Sequence, residues 1–133
     1  MRETRYWTWH MAAGIAIVVL LGIHMTTMHA GGLTGLSIAH PDEEAVSRAN
    51  CQARDASLSL TVMYIVLLGI ALYHGLYGLR TILLELTLPP AMEKALTAVL
   101  LVAGLGLFAF GTWAAIAAHS GAVNLLAAPV GGV

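Results

Sequence analysis

Six histidines stand in a chain otherwise poor in ionisable groups: His10, His24, His29, His40, His74 and His119. A neutral imidazole can ligate a metal through one ring nitrogen while the other is anchored by a hydrogen bond. Depth separates the six, because ionisable side chains inside a bilayer are costly and mark functional positions. His74 closes the apolar run MYIVLLGIALY, with Gly75 beside it, Gly78 one turn on and Arg80 beyond. Small neighbours let a flat partner approach the backbone, so one reading is an axial ligand of a b-type haem. Arg80 lies about 9 Å further along a helix, where a haem propionate would emerge. The other reading is a histidine that hydrogen-bonds a neighbouring helix across a glycine-lined contact.

His24, in GIHMTTMH, is the second ligand candidate, although a histidine near a helix end can also snorkel to the interface. His10 is placed to touch a propionate or to sit solvated at the interface. His29 reads as interfacial, and His40 and His119 as solvent-facing. Tyr73 and Tyr77, four residues apart, form a stripe with Arg80, read as belt or core and more sharply as a quinone contact. Glu85 reads as interfacial. Cys51 is the single cysteine, which excludes an intramolecular disulfide, and no CxxC zinc pattern occurs.

The elements that carry these residues follow from composition. The chain is 59% hydrophobic and 10% charged, with mean hydropathy +0.82, whereas soluble domains carry about 25% charged residues. Three stretches lack Asp, Glu, Lys and Arg: about Tyr6–Met28, Ala56–Leu79 and Ala95–Ala118. Each reaches the roughly 20 residues that cross a bilayer, and none alternates with period two. The expectation is an all-α integral membrane protein, one domain over 1–133, with helices at about 6–28, 56–86 and 92–119. The loop 29–55 lies outside the membrane. The first stretch is too long for a signal-peptide core and is read as a retained helix. In the third, Gly104 and Gly111, with Gly106 between, read as a face for another helix.

Four of the six basic residues (Arg2, Arg5, Arg80 and Lys94) fall at one end of the three helices, which places the N-terminus in the cytoplasm. Trp7 and Trp9 suit an interfacial belt there. Pro89-Pro90 stops one helix, and Glu93 suits the first turn of the next. In the first connection, PDEEAVSRANCQARD has Pro and acids first and arginines later, the order of a short surface helix. Net charge is −1 with no basic patch, which excludes a nucleic-acid partner.

HGLYGLRTILLEL, from His74, resembles the H-G-x-x-G-L-R-x-I-x-x-D-Y motif of the small three-helix, D-type membrane anchors of succinate:quinone oxidoreductase (succinate dehydrogenase/fumarate reductase). WTWHMAAGIAIVVLLGIH is similar to that family's first-helix W-x-F-x-R-x-S-G with a histidine ten residues after the glycine. The two motifs cover about a quarter of the chain. The resemblance implies one or two b haems shared with a second anchor chain, His74 and His24 being iron ligands. It also implies iron–sulfur and flavoprotein partners, membrane lipid, a quinone as electron acceptor or donor, and a bacterial or archaeal cytoplasmic membrane. The role is docking and electron relay rather than a complete active site. The chain departs from the family at Met11, where the family has arginine, and at Glu85-Leu86, where it has an acid and a tyrosine. Both departures bear on the quinone headgroup. Alternatives are an anchor cytochrome b of another respiratory complex and a haem-free structural or assembly subunit.

Overall fold

The structure, a computed structural model, describes residues 2–29, 44 and 46–127. Among them are four α-helices and no strand: α1 Arg2–His29, α2 Arg48–Asp55, α3 Leu58–Leu84 and α4 Pro90–Ala127. At 1.5 Å per residue, α1 and α3 are about 40 Å long and α4 about 57 Å. All three are long and apolar enough to cross a membrane. The chain is thus all-helical and multi-pass in character.

Local chemistry sets the ends. The α3–α4 turn places Thr87 at φ 54, a left-handed conformation uncommon for a β-branched residue. Leu88 precedes a proline and is thereby pushed out of helical conformation. Pro90 then opens α4, where its missing N–H costs nothing, and the N–H groups of Met92 and Glu93 both donate to the Pro89 carbonyl. Glu93 lies in the first turn as expected.

The short helix corrects two expectations. It begins at Arg48, with no acid in its first turn, and is capped by Ser47, whose hydroxyl accepts from the Asn50 N–H at 3.2 Å. A side-chain cap outweighs charge order here. Nor is it a surface helix. Asn50 is 0% exposed and Arg54 is buried, because α2 packs against both α3 and α4.

Central α3 packs against α1 on one side and α4 on the other, while α1 and α4 do not meet. Leucines of α3 fill notches in α4. Leu68 meets Gly111, and Leu76 lies where a Cβ on Gly104 would come within 2.6 Å of it; Gly106 faces open space. The molecule is turned inside out relative to a soluble domain. Among the described residues the buried ones are Asn50, Arg54 and Thr61 with Leu60 and Ala122, and the exposed ones include Trp7, Trp9, Phe110 and Trp113. Apolar side chains facing outward are stable where lipid is the solvent.

Candidate functional site

His74 projects from α3 onto α1. Its Nδ1 lies 3.1 Å from the His10 carbonyl oxygen. A carbonyl only accepts, so Nδ1 carries the hydrogen, and in the neutral ring Nε2 carries the lone pair. In a regular helix the carbonyl of residue 10 also accepts from the N–H of residue 14. That register explains the neighbouring glycine. A Cβ on Gly14 would come within 3.0 Å of His74 Cε1, so the imidazole reaches the α1 backbone only because no side chain stands there.

His10 answers from the opposite helix. Its ring stacks on His74 with centroids 4.1 Å apart and planes 5° from parallel. It also lies against Gly78, where a Cβ would come within 3.3 Å of its Cε1. The flat group that the small residue admits in this structure is therefore the His10 ring, while Gly75 faces open space. Tyr77 tilts against His10 at 5.2 Å and stacks on Tyr73 at 5.8 Å. The Tyr73 hydroxyl donates to the Tyr6 carbonyl at 3.3 Å. Two histidines and two tyrosines thus share one level near the N-terminal end of α1. Nδ1 of His10 is buried there with no hydrogen-bond partner.

Arg80 points elsewhere. Its Nε donates to Thr97 Oγ1 of α4 at 2.9 Å, and that hydroxyl donates to the Glu93 carbonyl at 2.8 Å. Arg80 lines a groove of about 400 Å³ between α3 and α4, together with Tyr73 and Tyr77. A second groove, about 410 Å³, follows Ala12, Ala13 and Ala16 beside Gly69 of α3. His74 lines neither of these two grooves.

His24 is at the far end of α1, edge-on to Tyr64 of α3 at 5.3 Å, with its Nδ1 buried and unpartnered. Tyr64 precedes His74 by ten residues, about 15 Å along the helix. His24 and His74 therefore cannot meet one metal ion. His119 is not solvent-facing. It is half-buried, and its Nδ1 donates at 2.7 Å to the Asp55 carbonyl at the C-terminal end of α2, which the Thr61 hydroxyl also reaches at 3.4 Å. Hydropathy missed this because the partner arrives from 64 residues away. Glu85 is exposed at the end of α3. His29 is the last residue of α1, and His40 lies outside the described residues.

The donor chemistry can be tested against a haem. A haem-ligating histidine needs Nε2 free and Nδ1 anchored. His74 meets both conditions, and His24 lacks the anchor. His10 and His74, stacked face to face, cannot serve as opposite ligands of one iron, because axial imidazoles approach edge-on. No group of three or more His, Cys, Asp or Glu gathers among the described residues. At this level His74 is the one imidazole with its Nδ1 anchored and its Nε2 left over.

No family model matches the chain, and neither the curated proteins nor the solved structures contain a match.

Proposed function

We propose that this chain is a haem-bearing membrane anchor of the succinate:quinone oxidoreductase type, with His74 as an axial ligand of a b haem. The observation that carries the reading is the orientation of His74, its Nδ1 held on the His10 carbonyl with the Nε2 lone pair left over. The HGLYGLR motif supports it from the sequence side. The second ligand comes from another anchor chain, because His10 is stacked in parallel and His24 is a long way along the helix. A bound haem would pass single electrons between an iron–sulfur partner and membrane quinone. The chain's own residues hold and orient. Gly14 admits the His74 ring, the His10 carbonyl sets its tautomer, and the Tyr73–Tyr6 bond braces the helix pair at the same level. Arg80, tied to Thr97, has no part in this assignment. The end bearing Arg5, Arg80 and Lys94 faces the cytoplasm, and iron–sulfur and flavoprotein partners dock there.

A haem-free packing role has one observation in its favour: His10 already covers a face of His74. The reduced-minus-oxidised spectrum of the purified complex separates the two, with haem counted per copy of the chain. A b-type band that succinate can reduce, and that is lost in His74→Ala, is the expected result. Haem content unchanged in His74→Ala overturns the ligand assignment, and a colourless complex leaves packing as the role. A second haem lost in His24→Ala would bring His24 in as a ligand anchored by a group from outside the described residues. A haem that dithionite reduces but succinate does not would place the chain in another cytochrome b complex.

A further inference from the structure

The groove between α3 and α4 has no part in the haem reading. It starts beside Arg80 and Thr97 and ends where the Phe108 ring covers Gly69, so closely that a Cβ on Gly69 would come within 3.1 Å of it. Eleven residues separate Arg80 from Gly69, and eleven separate Thr97 from Phe108. Both intervals amount to about 16 Å of helix. Half of a hydrocarbon core about 30 Å thick is about 15 Å. The groove therefore has the depth of one leaflet and a floor near the membrane midplane.

Its mouth presents a guanidinium. Arg80 makes one hydrogen bond, through Nε to Thr97, and no carboxylate pairs with it among the described residues. Glu85 and Glu93 lie at the same end, as does Lys94, and neither carboxylate forms an ion pair with Arg80. A guanidinium with most of its donor fork unused, at a membrane edge, suits a phosphate oxygen. A neutral quinone headgroup would leave that charge uncompensated, and the Tyr73 hydroxyl is already donated to Tyr6.

The geometry points to a phospholipid site: one acyl chain of an anionic lipid lies along the groove, and its phosphate sits on Arg80. The site is independent of whether His74 holds a haem. It is tested on the full-length chain, purified with whatever subunits accompany it and stripped of lipid. The sample is then offered equal phosphatidylglycerol and phosphatidylcholine and examined by native mass spectrometry. Retained phosphatidylglycerol should exceed phosphatidylcholine about fivefold, the attraction of one basic residue for an anionic lipid. Arg80→Gln should remove the preference and Arg80→Lys should keep most of it. Leu101→Trp, on the groove's exposed rim, should lower retention of both lipids and serves if Arg80→Gln does not fold. Equal retention by the wild-type chain overturns the site, as does a preference that survives Arg80→Gln or retention unchanged in Leu101→Trp. Displacement of phosphatidylglycerol by an added short-chain quinone overturns it in favour of a quinone groove.

Discussion

Enlarging Gly14 tests the geometry at His74 directly. A Cβ there would come within 3.0 Å of His74 Cε1, where carbon atoms ordinarily rest about 3.5–4.0 Å apart. The ring would have to retreat by about half an ångström, yet it is held by a 3.1 Å hydrogen bond and a stacked partner. That retreat stretches the bond to about 3.6 Å, where it no longer counts as one. Losing it costs about 1 kcal/mol, and replacing glycine by alanine inside a helix returns about the same. Gly14→Ala should therefore be close to neutral. Gly14→Leu has no room at all, and overpacking adds roughly 1–3 kcal/mol of destabilisation. Gly22, on the same helix with nothing within 4 Å of its Cβ position, is the control. Gly22→Leu should cost nothing. The assay is denaturant unfolding in detergent followed by circular dichroism, run as a double-mutant cycle with His74→Ala. Once the imidazole is gone, Gly14→Leu should lose most of its penalty, with a coupling of at least about 1 kcal/mol. Additive costs, or equal costs at positions 14 and 22, would refute the placement of His74 against α1.

Two further expectations concern stability. His119→Ala removes the hydrogen bond to the Asp55 carbonyl, worth about 1 kcal/mol. Amide exchange over Arg48–Asp55 should then quicken about fivefold while α1 is unchanged, and an unaltered exchange pattern would show that α2 is held by other contacts. Thr87 sits at φ 54, a conformation costing an L-residue roughly 1–2 kcal/mol. Glycine avoids that and loses about 0.5–1 kcal/mol in chain entropy. Thr87→Gly should therefore raise the unfolding midpoint slightly, and a fall would show that the turn has a different backbone.

The spanning helices were legible because lipid demands long uncharged runs, and such runs are written in consecutive residues. The turn at Pro89-Pro90 was legible for a similar reason, since proline acts on its nearest neighbours. What hydropathy could not mark was where α4 stops. SGAVNLLA contains no proline and its single Gly121 is tolerated, so the helix runs on past His119 to Ala127. Ser47 could have been found as the start of α2, being a good capping residue three before Asn50. The site was half legible. HGLYGLR singled out His74 and Gly78, but the partner of each lies on α1, more than sixty residues away. No local pattern reports the rotation of one helix against another. Arg80 shows this most clearly: its distance along the helix suited a propionate, and its direction led to Thr97.

The row of three helices, with α3 between α1 and α4, has a topological consequence. Apart from the small buried cluster under α2, a row has two sides and little interior. Enclosing anything against the faces of this row takes a second wall from outside it, so the shape of any such volume would be set as much by that wall as by this chain. Two chains like this one, given different companions, could frame quite different chambers around the same unaltered histidine.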